Sequence, residues 1–322
     1  MNSSVTLRTL ALTGLGLTMA VPYPVAAQQE QDPRPVFRSE VSRVTVAATV
    51  RDRRGRPVTS LTADDFHLFD GGIRRDILDF RRDSTAVSVA ILTDVSGSMD
   101  LGGRRQTAEA AAGHILNWLD PAADKVGLYA FDQWLQEVAP LQAARANLLE
   151  SVTPIKPWGR TRLFDAIAET AQRVAGQDAA RRAVIVLTDG DDNASELSAG
   201  EVSGLASSID VPVYVLVMIS PLDRSGNRTL IDDQLAALRD GALGQLARWT
   251  GGDIVLPASV EATTTATRQI VNELRQQYLL VFEPSAKPGW HRLELRTRQD
   301  NLVVRARSGY VVPDRTDELR LQ

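Results

Sequence analysis

The stretch Val87-Ser88-Val89-Ala90-Ile91-Leu92-Thr93-Asp94-Val95-Ser96-Gly97-Ser98-Met99-Asp100 decides how the rest of the chain is read. Val87, Val89, Ala90, Ile91 and Leu92 form a near-continuous apolar run, the pattern of a strand buried on both faces in a parallel sheet. The run ends in oxygen chemistry. Asp94, Ser96 and Ser98 alternate with Val95 and Gly97, so a tight loop can turn one carboxylate and two hydroxyls toward a common point. In open α/β sheets, ligands collect just past the carboxyl ends of strands. Such oxygens suit Mg²⁺, Mn²⁺ or Ca²⁺, and no thiol or imidazole stands nearby to favour a softer metal.

Outward from this stretch the chain alternates strand and helix. Helices are predicted at Gln106–Leu119, Thr161–Val174, Glu201–Ser207, Asp233–Thr250 and Val260–Leu274, and strands at Lys125–Phe131, Ala183–Leu187, Val211–Ile219 and Asp253–Leu256. That alternation predicts an α/β fold, a doubly wound and mostly parallel sheet flanked by helices. Two segments can complete the oxygen site. Gly159-Arg160-Thr161-Arg162-Leu163 opens the second helix, and the strand ending at Leu187 runs into Thr188-Asp189-Gly190.

The three parts, D-x-S-x-S, a Gly-x-Thr-x-Leu turn and a hydrophobic strand ending in Thr-Asp-Gly, resemble the von Willebrand factor A domain with its metal-ion-dependent adhesion site. The resemblance implies one bound Mg²⁺, or Mn²⁺ or Ca²⁺, with hydroxyl ligands from Ser96, Ser98 and Thr161. Asp94 and Asp189 would act directly or through water. It also implies a protein partner that offers a Glu or Asp carboxylate to the ion. In some relatives the last helix, here Val260–Leu274, moves when the ion changes ligands.

The ends of the chain have a different character. Residues 1–27 read as a secretory signal, with Arg8, an apolar run from Leu10 to Val21 and a small-residue cleavage site at Val25-Ala26-Ala27. An uncleaved anchor is the competing reading, weakened by the short run and by Pro22 and Pro24. Residues 28–38 form a polar linker, and residues 39–84 hold about three strands, around Val44–Thr49, up to Phe69 and over Ile73–Phe80. The A-type domain is placed at 85–275. A second β segment, 276–313, has strands at Tyr278–Phe282, Trp290–Leu295 and Leu302–Arg305, and residues 314–322 form a tail. Neither β segment holds a stable core alone. Both ends folding into one small β-sandwich, with the A domain inserted between them, is one arrangement; two separate appendages is the other. The order of these segments also resembles the secreted VWFA-related bacterial proteins of the Acidobacteria type, a family defined by sequence rather than by activity.

Composition narrows the function. The chain has 322 residues and a net charge of −4, with arginines scattered among acids, so it carries no nucleic-acid footprint. It has no cysteine and therefore no disulfide or lipidated thiol. Asp189, Asp191 and Asn193 are spaced like the start of an EF-hand loop, yet Ala194 and Gly200 stand where Gly and Glu are required. No G-x-S-x-G turn occurs, and His67, His114 and His291 lie on other elements, so Ser96 and Ser98 lack a base. Asn193-Ala194-Ser195 and Asn227-Arg228-Thr229 fit a glycosylation pattern by chance. Trp158 before Thr161 and the polar loop 220–232 are candidate partner contacts.

The expectation is a secreted or periplasmic, cation-dependent protein-binding module that is not an enzyme and has no transmembrane segment once mature. The alternative is a structural component of an envelope complex whose ion is closed by internal ligands. Service to an ATP-driven chelatase, known for some A domains, fits poorly with export.

Overall fold

The computed structural model describes residues 43–82, 86–143, 148, 159–176, 181–219, 233, 236–257 and 259–312. Trp158, the loop 220–232, the signal segment and the tail lie outside them.

The central sheet is built on β5, Val87–Asp94, in which all eight residues are buried. Its parallel neighbours are β6, Lys125–Phe131, on one side and β8, Arg181–Thr188, on the other. β9, Val213–Val217, and β10, Ile254–Val255, extend the sheet in parallel beyond β8. β7, Leu135–Ala143, closes the other edge antiparallel to β6, giving the order β10-β9-β8-β5-β6-β7. Alternation along β5 divides the core. Val89 and Ile91 pack with α1, Arg104–Trp118, and α5, Val260–Arg275, whereas Ala90 and Leu92 face α2, Leu163–Ala175, α3, Ala199–Ser208, and α4, Ala242–Trp249. Helices therefore cover both faces, which is why the strands read as unbroken apolar runs. The chain leaves β5 toward β6 and later returns to its other side as β8, so the carboxyl end of β5 lies at a reversal of strand order, where such sheets open a crevice.

Two further sheets contain strands from both ends of the chain. One has the order β13-β1-β11-β4, with β1 at Val44–Asp52, β4 at Ile77–Arg81, β11 at Tyr278–Phe282 and β13 at Leu302–Ala306. The other has the order β14-β12-β2-β3, with β2 at Phe66–Asp70, β3 at Ile73–Arg75, β12 at Gly289–Thr297 and β14 at Gly309–Val312. Between them Phe66, Phe80 and Tyr278 pack with ring centroids 5.3–5.8 Å apart. The Tyr278 hydroxyl donates to Val58 O at 2.9 Å and accepts from Leu61 N at 3.1 Å, so this large buried ring leaves no polar atom unpaired.

Charged side chains link these strands to the central sheet. Glu273 near the end of α5 is buried and paired with Arg51 of β1 and Arg305 of β13, and Arg305 also reaches Asp253. Arg307 donates to Ser207 O at the end of α3 and to Thr45 O of β1.

The structure corrects several element boundaries. The predicted strand Ile73–Phe80 is two strands in different sheets, because the chain turns a corner at Asp76. The predicted helix Asp233–Thr250 breaks at Gly241, whose extended backbone (φ −76°, ψ −169°) precedes α4. α2 begins at Leu163, so Thr161 lies in the turn before it. β7 and β14 were not expected as strands.

Candidate metal centre

Three backbone segments meet at the carboxyl ends of β5 and β8. After Asp94 the chain makes a single 3₁₀ turn, Gly97–Asp100, and Val95 N–H donates to Phe131 O at 2.8 Å, which ties the loop to the end of β6. Gly97 N–H reaches Gly159 O at 3.4 Å, bringing the segment before α2 alongside. Gly190 holds a left-handed φ of +93°, and a Cβ there would stand 2.7 Å from Leu238 Cδ2. Glycine is thus required for the turn that follows Asp189.

Asp94 is 2% exposed and Ser96 1% exposed. Ser96 N–H donates to Asp94 Oδ1 at 2.8 Å, and the Ser96 and Ser98 hydroxyl oxygens are 3.1 Å apart. The Thr188 hydroxyl donates to Asp94 Oδ2 at 2.6 Å. Burial pushes the Asp94 carboxyl up to about 6; hydrogen bonds from Thr188 and Ser96 oppose this, and the charge of Asp189 adds to it. Asp189 is held differently. Its Oδ2 accepts from Arg104 Nη1 at 3.3 Å, and the same nitrogen donates to Ser98 O at 3.2 Å. Its Oδ1 accepts from Asp191 N at 3.3 Å. Desolvation, and then repulsion from Asp189, raise the Asp191 carboxyl, with Arg104 acting in the opposite sense.

Thr161 is pinned through its backbone. Its N–H donates to Asn193 Oδ1 at 3.0 Å, and its carbonyl accepts from Asn193 N and Ala194 N, each at 3.1 Å. The first turn of α2 is capped from the same loop. Leu163 N donates to Asp192 Oδ1 at 2.9 Å, Phe164 N donates to Ser195 Oγ at 3.0 Å, and Ser195 in turn donates to Asp192. Asp165 returns the tie by accepting from Glu196 N at 3.0 Å and Leu197 N at 2.9 Å. The loop after Asp189 is therefore fastened to the turn that presents Thr161.

The fold thus joins Asp94, Ser96 and Ser98 directly, and Asp189 to them through Arg104. Thr161 belongs to the adjoining turn and hydrogen-bonds to the loop 193–194 rather than to the other four. Sequence reasoning missed Thr188 as a donor to Asp94, Arg104 as a partner of Asp189, and Asn193, Asp192 and Ser195 as positioning groups. The polar run Asp191-Asp192-Asn193-Ala194-Ser195 directly after the Thr-Asp-Gly turn was the available signal for the last three.

Asp94 is a buried carboxylate with hydrogen-bond donors but, among the described residues, no positively charged partner, and the hydroxyls of Ser96 and Ser98 lie beside it. A hard cation offsets that uncompensated charge, and hydroxyl plus carboxylate oxygens match its preference, so the residues fit. Among the described residues no three Asp, Glu or His side chains converge, so a site here depends on the hydroxyls.

The sequence of this region has a recognised pattern. Residues 89–191 match the family model of the von Willebrand factor type A domain. The A-type match takes in β5, β6, α2, β8 and the loops just described. No curated protein matches the chain. Among solved structures it is similar to von Willebrand factor type A from Catenulispora acidiphila, at 14% identity over 81% of this chain and 76% of that one, with a TM-score of 0.47. It is similar to BatB from Bacteroides thetaiotaomicron at 25% identity, covering 58% of this chain and 98% of that one, with a TM-score of 0.44. An aerotolerance-related membrane protein from Bacteroides fragilis gives 22% identity, the same two coverages and a TM-score of 0.45. No helix among the described residues is long and apolar enough to cross a membrane.

Proposed function

We propose that this chain is an exported, divalent-cation-dependent protein-binding module of the adhesion type. The observation that carries the reading is Asp94: a buried carboxylate without a positively charged partner among the described residues, set beside two hydroxyls at the carboxyl end of the central strand. Ser96, Ser98 and Thr161 would hold one Mg²⁺ or Mn²⁺ through neutral oxygens, with Asp94 and Asp189 bound directly or through water. The ion supplies a positive centre able to accept one more oxygen, and a Glu or Asp carboxylate of a partner protein is the anionic oxygen that suits it. Neutral ligands are central to this use, because three hydroxyls cancel none of the ion's charge and two aspartates held at water distance balance it only partly, where further carboxylates in direct contact would quench it.

Binding rather than turnover is proposed because the described histidines lie on elements away from the site, His67 among them on β2. His114 is hydrogen-bonded to Thr264 between α1 and α5 at 3.0 Å, and His291 lies among the β-strands with Asp70, also at 3.0 Å. Export rests on the signal-like residues 1–27.

The test is a thermal-melt titration of the wild type, Asp94→Ala and Asp189→Ala with Mg²⁺, Mn²⁺ and Ca²⁺. An ion that binds only the folded state raises the melting temperature as its concentration passes its dissociation constant. A rise in the wild type that both variants lose supports the site, and capture of acidic peptides with and without chelator then tests the partner. A wild type indifferent to millimolar ion ends this reading.

A further inference from the structure

We propose that Arg104 is a resident counter-charge that a divalent ion must displace from Asp189, making Arg104 the residue that selects divalent over monovalent cations at this site. The proposal rests on the metal-binding reading above and deepens it.

The two aspartates of the site are neutralised unequally. Among the described residues the donors to Asp94 are uncharged: the Ser96 amide and hydroxyl and the Thr188 hydroxyl. Asp189, whose side chain is 6% exposed, faces a full positive charge, with Arg104 Nη1 3.3 Å from its Oδ2. The guanidinium does not reach in from the distant surface. Arg104 opens α1, six residues after Ser98, and the same nitrogen holds the Ser98 carbonyl at 3.2 Å, so the site loop itself positions it. Its side chain is 20% exposed, which keeps the charge desolvated enough to matter and leaves a path outward to solvent.

An arriving cation therefore meets two different aspartates. At Asp94 it supplies charge that nothing else supplies. At Asp189 it meets a cation already in place, and the two repel at short range. A monovalent ion brings no more charge to Asp189 than the guanidinium does, and it must also be dehydrated, so the exchange gains nothing. A divalent ion brings twice the charge and serves both aspartates at once. Specificity of this kind comes from opposing the wrong ligand as well as favouring the right one.

The experiment measures the Mg²⁺ dissociation constant of the whole mature chain by calorimetry and by thermal shift for the wild type, Arg104→Gln, Arg104→Lys and Asp94→Ala. The expected result is that Arg104→Gln binds Mg²⁺ roughly fivefold more tightly, the factor lost when a partly exposed ion pair is removed. Its binding also becomes sensitive to Na⁺, which now competes, and Arg104→Lys stays within about twofold of the wild type. Unchanged or weaker Mg²⁺ binding in Arg104→Gln overturns the proposal, since a residue that merely aligned Asp189 would lower affinity on removal. If Arg104→Gln does not fold, the Arg104 side-chain NMR signal of the wild type decides: it must shift as Mg²⁺ is added, and a signal that stays fixed overturns the proposal. The two levels fail separately. Loss of ion binding in Asp94→Ala with no gain in Arg104→Gln removes the exchange alone, whereas no ion response in the wild type removes both.

Discussion

Asn193 shows how one side chain outside the proposed ligand set positions the backbone of a proposed member of it, Thr161. Its Oδ1 is the acceptor for Thr161 N–H, so Asn193→Ala leaves that amide unpaired in a half-buried turn. The expected loss is about 1–2 kcal/mol of stability in urea melts, with most of it recovered in Asn193→Asp, which keeps an acceptor. Asp165 gives a pH signature. Burial alone would raise its carboxyl, but the Glu196 and Leu197 amides and Arg162 outweigh burial and hold it below the ordinary range. The unfolded chain therefore binds the proton first as pH falls. Its contribution is complete above the unfolded value near 3.9 and is lost as pH drops through the lower folded value. In Asp165→Asn the acid limb of stability below about pH 4 should flatten, as followed by circular dichroism. D-x-S-x-S was legible as one polar loop because its alternation past a buried strand turns the polar residues the same way, whereas Thr-Asp-Gly was placed beside it by the family resemblance. Arg104 and Thr188 were not legible, because a contact between the start of α1 and the end of β8 depends on packing that has no local pattern.

At the scale of single elements, buried strands and strongly periodic helices were legible, and edges were not. β5, β6 and β8 appear as apolar runs because both faces are covered, whereas β7 alternates weakly and carries Pro140 on the open edge of the sheet, the place where proline is tolerated. α3 starts earlier than its apolar residues suggest because Ser198 and Glu201 form a reciprocal cap. Ser198→Ala should cost about 1 kcal/mol, read as a lower urea midpoint with unchanged slope. α5 tests a stronger dependence. Glu273 is 3% exposed and serves two arginines from β1 and β13, so Glu273→Gln leaves both with a neutral partner. The expected destabilisation is about 3 kcal/mol by denaturant titration, far more than a surface pair would give.

For the whole molecule, the presence of strands at both ends of the chain was legible, though three were expected at each end where four form, and their pairing was not legible, since no sequence period records which strands meet across a long insertion. β1 has β11 on one edge and β13 on the other, so both of its partners come from the far end of the chain. β2 likewise pairs with β12. A chain ended after Arg275 should therefore collect in the insoluble fraction, while the full chain is recovered by the same expression and centrifugation. The same pairing sets an order in time. As the chain emerges, the central sheet can close on local connections while β1 waits with two bare edges for the last strands to arrive. The first strand made is among the last to be paired, so the interval between them is when this protein most needs a chaperone's protection.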